Sequence, residues 1–240
     1  MPISVRDASL WKTAEPYVRD AGVWKPVDLG YVRDGGAWKE FHTSVPPVEL
    51  VGSAYAYGLD ISVPAHQSGD LLVLFMGNNN YEEYVPTAYS SSGWTHVRSA
   101  TAAFGGNRRA TVSCLWRIGN GTLSTVSGYG WGSSNTCLAI RNTAGIGNSA
   151  ARQVNATDSM STQLPATALV SNKSMVLGST QDALVSSAGS MVLVEPQSSP
   201  PRSQVVRSVG MYGSFSFPNT PVSKITNSGD VALTVEILPL

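Results

Sequence analysis

Three times in its first 41 residues the chain writes nearly the same phrase: SVRDASLWKTA at 4–14, YVRDAGVWKPV at 17–27 and YVRDGGAWKEF at 31–41. Val-Arg-Asp begins at Val5, Val18 and Val32, and Trp-Lys follows at Trp11, Trp24 and Trp38, in steps of thirteen and then fourteen residues. A unit that short has room for two strands and a tight turn. With Ala8-Ser9, Ala21-Gly22 and Gly35-Gly36 as the two-residue loops, Arg6 faces Trp11, Arg19 faces Trp24 and Arg33 faces Trp38. Glycine supplies the positive φ that the tight hairpin turns require. A register shifted by one, turning at Asp34-Gly35, would set Tyr31 against Trp38; the first is preferred because it works in all three copies.

A lone hairpin is marginal in water, and three hairpins with few aliphatic residues do not build a core. The segment therefore needs something outside itself: its own copies, another protein, or the rest of the chain as a three-hairpin meander folded back on it. Arg6, Trp11, Arg19, Trp24, Arg33 and Trp38 are the expected assembly contacts. Arg opposite Trp contributes about 0.5–1 kcal/mol at an exposed site.

Tandem hairpins of the form Tyr-Val-Arg-Asp-Gly-Gly-x-Trp-Lys resemble those of tail proteins of double-stranded DNA bacteriophages, especially minor tail and tail-fibre proteins, where such repeats sit near the attachment end. The resemblance covers residues 4–41. It implies a virion structural protein, assembled in the host bacterial cytoplasm and built into the tail. The expected partners are other virion (tail) proteins and further copies of the chain, with a trimer favoured.

TSVPP at 43–47 is the seam, since two prolines stiffen a linker and block regular pairing. It divides the chain into 1–42, a hairpin-repeat docking and oligomerisation segment; 43–47, a linker; and 48–240, a β-sandwich domain. Beyond the seam strands follow one another. VELVGSAYAY and LDISVP come first, then GDLLVLFMG, whose unbroken apolar run Leu71–Met76 suits a strand buried on both faces. After WTHVRSA, the stretch RRATVSCLWRI sets Ala110, Val112, Cys114, Trp116 and Ile118 on one face and Thr111, Ser113 and Arg117 on the other, with Leu115 as the exception. TCLAIRN, KSMVLGST, GSMVLV, SQVVRSVG and VALTVEILPL complete the set, and in the last Val231, Leu233, Val235 and Ile237 share a face. Residues 142–172 are long and polar for a hairpin loop and are expected to carry one or two short edge strands, such as Met160–Gln163. No stretch longer than about ten residues shows a helical period. The fold class expected is all-β: short N-terminal β-hairpin repeats followed by a two-sheet antiparallel β-sandwich, jelly-roll-like, of about eight to eleven strands.

The order SGDLLVLFMG, SGWTHVRSA, CLWRIGNG, CLAIRNTAG, NKSMVLGST and GSFSFPNTP resembles a β-sandwich domain of phage tail proteins and some bacterial surface proteins, over roughly 48–240. That resemblance implies a structural or adhesive module and brings no catalytic residues.

Formal net charge is zero, so nothing suggests an electrostatic grip on nucleic acid or an anionic membrane. The charge is uneven: residues 1–42 hold six Lys/Arg and six Asp/Glu, against ten of each in all that follows. Cys114 and Cys137 lack CxxC spacing and are expected to be buried, reduced thiols. No apolar run approaches the roughly 18 residues of a membrane span, and the N-terminus lacks a signal-peptide pattern, so synthesis in a cytoplasm without membrane insertion is expected.

Chemistry is sparse. His42, His66 and His96 have no second ligand at metal spacing, and His66, in the turn PAHQSGD, is expected to be solvated. No nucleophile elbow, Walker loop or dinucleotide fingerprint occurs. Glu82-Glu83 is the one adjacent acidic pair; Asp60, Asp70, Asp158, Asp182, Glu195, Asp230 and Glu236 stand singly. No catalytic residue, metal or cofactor is expected, and the chain is not expected to be an enzyme. Two loops invite binding: GNNNYEEYVPTAYSSSGW (77–94), with Tyr81, Tyr84 and Tyr89, and SGYGWGSSN (127–135), with Tyr129 and Trp131. Aromatics among amides and carboxylates suit a sugar or a protein partner. Trp94, opening a strand, is weighed as a core residue. The alternatives are thus a carbohydrate-binding host-adhesion module for a surface glycan, or a head decoration or fibre protein.

Overall fold

A computed structural model of the chain describes residues 3–7, 10–14, 17–20, 23–26, 30–34, 37–42, 46–58, 60–80, 93–103, 109–127, 134–154, 163–171, 173–181, 183–185, 191–194, 203–208, 216–217, 220–224 and 230–240, with the first six stretches and residues 79–80, 127, 163, 183–185, 203, 216–217 and 220–224 as backbone only. The chain forms two compact units, Met1–Pro46 and Pro47–Leu240. No helix occurs among the described residues.

The first unit holds three separate two-stranded antiparallel sheets. They are β1 (Ile3–Asp7) with β2 (Leu10–Ala14), β3 (Tyr17–Asp20) with β4 (Val23–Pro26), and β5 (Gly30–Asp34) with β6 (Ala37–His42). Arg6 pairs with Trp11, Arg19 with Trp24 and Arg33 with Trp38, while Tyr31 pairs with Glu40. One register therefore serves all three copies. The turn residues between the strands lie outside the described residues.

The second unit continues with β7 (Glu49–Tyr57), β8 (Asp60–Ser62), β9 (Ser68–Asn80), β10 (Thr95–Ala103), β11 (Arg109–Asn120), β12 (Thr125–Ser127) and β13 (Ser134–Arg141). Next come β14 (Thr143–Val154), β15 (Gln163–Leu164), β16 (Thr167–Ala168), β17 (Met175–Gln181), β18 (Ala183–Val185) and β19 (Met191–Leu193). The last four are β20 (Ser203–Ser208), β21 (Ser216–Phe217), β22 (Thr220–Lys224) and β23 (Asp230–Pro239). Two five-stranded antiparallel sheets dominate, ordered β10-β11-β9-β13-β7 and β14-β23-β17-β20-β19. The all-β, two-sheet sandwich is thus present. Its winding is sequential: the chain fills the first sheet and then the second, whereas a jelly roll passes repeatedly between its sheets. Among the described residues the chain passes from the first sheet to the second at Asn142, at φ 58°, a left-handed conformation that Asn tolerates better than most residues. Its Nδ2 donates to Pro47 O at 3.1 Å.

Between the sheets lie Leu71, Val73, Phe75, Val112, Cys114, Leu138 and Ile140 from the first, and Leu177, Val205, Val231, Leu233, Val235 and Ile237 from the second. The opposite face of the first sheet is buried as well. Leu72, Leu74, Met76, Leu115, Cys137 and Ala139 pack with Ile61 of β8, Val126 of β12 and Trp94. A small core with Leu164, Leu169 and Met191 closes over Val176, Val206 and Ala232 on the second sheet's far side. The run Leu71–Met76 is unbroken because β9 faces apolar surroundings on both sides, and each fully buried Leu there contributes about 1.5–3 kcal/mol. Leu115 interrupts the alternation of β11 for the same reason: it belongs to the outer core. Ile118, placed on the apolar face by its spacing, is instead 52% exposed. The pairing of β10 with β11 ends at Trp116, so Ile118 has no strand on that side.

The polar stretch 142–172 departs most from expectation. Its first part is the twelve-residue strand β14, an edge strand with register shifts between Thr143 and Gly145 and between Ile146 and Ser149. Those shifts, with Gly145, Gly147 and few apolar residues, erase the alternation that would have marked it. Of Met160–Gln163 only Gln163, opening β15, lies within the described residues.

Candidate functional site

Side chains three apart on a regular strand point to opposite faces. On β10 the register shifts between His96 and Arg98, and this β-bulge reverses the parity, so that His96 Nε2 lies 2.8 Å from Ser99 Oγ. Ser99 Oγ is in turn 2.7 Å from Ser113 Oγ, and Thr101 Oγ1 is 3.1 Å from Thr111 Oγ1. A His–Ser contact is the first element of an activated nucleophile. The second is missing, because His96 Nδ1 has no hydrogen-bond partner among the described residues to orient the ring. The hydroxyls act as cross-strand pairs that join β10 to β11.

The outer face of the first sheet also carries Asn78 and Asn135, both buried. Asn135 Nδ2 donates to Gly58 O at 2.9 Å, while the Oδ1 atoms of both residues have no hydrogen bond among the described residues. These amides stand where β9 leaves the sheet and β13 enters it, since Ser134 pairs with Gly77. The strand end that precedes residues 81–92 and the strand start that follows residues 128–133 therefore lie side by side. Tyr81, Tyr84, Tyr89, Tyr129 and Trp131 themselves lie outside the described residues. Trp94 is buried in the outer core, with Arg117 Cζ 5.8 Å from its ring centroid, so its role is packing.

Two carboxylates that stand singly in the sequence are fully engaged. Arg141 Nε and Nη2 donate to Asp70 Oδ1 and Oδ2, both at 2.9 Å, and Gln67 N donates to Oδ2 at 2.7 Å. The Arg141 hydrogen bonds hold the Asp70 carboxyl below the usual carboxylate range, against the opposing effect of burial. The same contact raises the guanidinium's already high value. His66, expected in water, is tucked beside this pair: Nδ1 donates to Pro64 O at 2.9 Å, and Nε2 is buried without a partner among the described residues. Its ring lies against Gly119, where a Cβ would collide with it.

Glu236 is buried completely on the far side of the second sheet. Its carboxylate accepts from the backbone N–H groups of Asn148 (3.0 Å), Val170 (2.7 Å) and Ser171 (3.3 Å), and from Ser174 Oγ (2.7 Å). It ties the 170–174 stretch and β14 to β23. A Cβ at position 147 would overlap Glu236 Oε2, so Gly147 makes room for this arrangement.

Cys114 and Cys137 are both buried and free, one in the core between the sheets and one in the outer core. Side chains on opposite faces of one sheet cannot form a disulfide. Burial pushes the Cys137 thiol up to about 12 and the Cys114 thiol higher still. Among the described residues no group of His, Cys, Asp or Glu could hold a metal ion. No described helix is long and apolar enough to cross a membrane. A cleft of about 330 Å³ lies at the start of β7, between Pro47, Val48, Glu49, Leu50, Asn142, Met175 and Arg207. Glu49 and Arg207 are on different strands of its wall, and the third polar group, Asn142, already donates its Nδ2 hydrogen bond to Pro47 O.

Comparison with protein-family models, curated proteins and solved structures finds no match to the chain. Of the sequence-expected residues, the structure sets the three Arg–Trp pairs opposite each other on the backbone of three hairpins. The His96–Ser99 contact and the Glu236 cage had no sequence signal in the spacing of their residues. Only the bulge and the long-range pairing of β14, β17 and β23 bring those groups together.

Proposed function

We propose that the chain is a bacteriophage virion structural protein, a minor tail or tail-fibre component that docks through its N-terminal hairpins and displays a β-sandwich. The repeated hairpin carries this reading. Three two-stranded units in one register, each strand four to six residues long, are too small to be stable alone. Repetition makes sense when the units are completed by a partner, through other tail proteins and through further copies of the chain, with a trimer favoured. The sandwich supports a scaffold role, because Asp70 and Glu236 are consumed by contacts that hold strands and loops together. Assembly takes place in the host bacterial cytoplasm, and the mature location is the tail.

The test is to isolate particles from a producing culture on a density gradient and digest separated tails for mass spectrometry. Peptides of this chain in the tail fraction are expected; their absence from particles overturns the reading. A second reading, a host-adhesion module that binds a surface glycan, is favoured by the pairing of β9 and β13, the strands that lead into the aromatic-rich sequence 81–92 and out of 128–133. Screening the full chain on a glycan array separates the two, since a pure scaffold retains no sugar.

A further inference from the structure

We propose that β7 pairs edge to edge with β7 of a second copy, so that the first sheets of two chains become one continuous sheet across a two-fold axis. This interface is separate from the hairpins and does not depend on the tail reading.

Sheets protect exposed edges with bulges, charges, prolines or very short strands. Three of the four main edges here do so. β10 bulges at Val97 and carries Arg98, β14 breaks register twice, and β19 has only three residues. β7 does not. Its one irregularity lies between Leu50 and Gly52, and from Gly52 to Tyr57 it follows β13 residue for residue. No charged residue and no proline occurs from Leu50 to Leu59. Among the described residues the outer edge of β7 pairs with no strand.

The same stretch is nearly symmetric about its middle: Ser53-Ala54-Tyr55-Ala56-Tyr57. A two-fold axis perpendicular to a sheet keeps each face on its own side, and opposed residues must share a face, so the axis passes through a residue. Through Tyr55 it sets Ala54 against the second copy's Ala56, Ser53 against its Tyr57, and the two Tyr55 rings against each other. Small meets small and large meets small, so no pair clashes, and the aromatic pair that spans the axis is a favourable cross-strand combination. The paired stretch Ser53–Tyr57 carries no charge, so it meets no electrostatic repulsion from its own copy.

The test uses two full-length double variants that differ only in the sign of one charge. Tyr57 is 59% exposed, so either charge is accommodated there in the monomer. S53K/Y57K opposes like charges twice across the axis, and S53K/Y57E opposes unlike charges twice. Within one chain the two positions are too far apart to pair. Sedimentation velocity is expected to show self-association about ten-fold weaker in S53K/Y57K than in S53K/Y57E, and the difference should shrink at high salt. In the wild type, hydrogen exchange of the Gly52–Tyr57 amides should slow as concentration rises. Equal association of the two variants, or exchange at these amides independent of concentration, overturns the proposal while leaving the presence of the chain in tails unaffected.

Discussion

Ser174 Oγ donates to Glu236 Oε1 at 2.7 Å in a place where both side chains are sealed from solvent. The carboxylate takes three further hydrogen bonds from backbone N–H groups of two other segments. A buried charge is costly unless it is fully hydrogen-bonded, and four donors meet that condition here. Glu236→Gln keeps the shape but places an NH2 group where donors converge. It is expected to lower stability by about 2–3 kcal/mol, read as a drop in the urea midpoint with an unchanged slope. A midpoint like that of the wild type would mean that the cage is not under load.

The Asp70–Arg141 pair predicts an acid dependence. Asp70 has a folded-state value below its unfolded one, so its contribution is complete above about pH 4 and fades as the pH falls through the folded value. Asp70→Asn should therefore be less stable than the wild type at pH 7, by about 1–3 kcal/mol. The gap should narrow as the solution is acidified below the usual carboxylate range. Urea titrations of both proteins at pH 7 and pH 3 check the sign. A gap that is constant with pH would contradict the pairing.

The thiols should be inert in the folded protein. Cys114 and Cys137 are buried and on opposite faces of the first sheet, and their raised values leave almost no thiolate near neutral pH. A thiol reagent at pH 8 is expected to label neither until denaturant is added. Rapid native labelling of Cys137 would show that the outer core opens.

Asn142 carries the corner between the sheets. Asn142→Gly keeps the φ of 58° accessible but loses the bond to Pro47 O, whereas Asn142→Ala loses the bond and adds strain. Thermal unfolding is expected to rank wild type above Gly and Gly above Ala, with Ala lower by about 1–2 kcal/mol. Equal stability of the two variants would remove backbone strain as the reason for Asn at this corner.

How much of this was legible depended on where each signal resides. Leu71–Met76 announces β9 because burial on both faces is written in the composition of one segment, and the alternation of Val231, Leu233, Val235 and Ile237 announces β23 in the same way. The hairpin register is equally local. β14 is an edge strand whose pairing with β23 supplies what its own residues do not, so its sequence reads as a loop. Glu236 looks solitary because its donors are 62 to 88 residues away. His96 and Ser99 look divergent because spacing assumes an unbulged strand. The local signals were readable, and the tertiary ones were not.

In each hairpin an Arg stands opposite a Trp on the backbone, at 19 and 24 in the middle copy. A Trp side chain buries up to about 150–250 Å² at a contact, and at roughly 25 cal/mol per Å² even half of that is worth about 2–3 kcal/mol. An exposed Arg–Trp contact adds about 0.5–1 kcal/mol, so packing should dominate and charge should tune it. If the hairpins dock, Trp24→Ala should weaken assembly by about 30-fold or more, taking about 1.4 kcal/mol per factor of ten. Arg19→Ala should cost about five-fold or less on the same scale, and Lys25→Ala, opposite Val18, should cost little. Analytical ultracentrifugation of the three full-length variants gives the ranking. An Arg19→Ala defect as large as that of Trp24→Ala would mean that a buried charge network, and not aromatic packing, holds the segment to its partner.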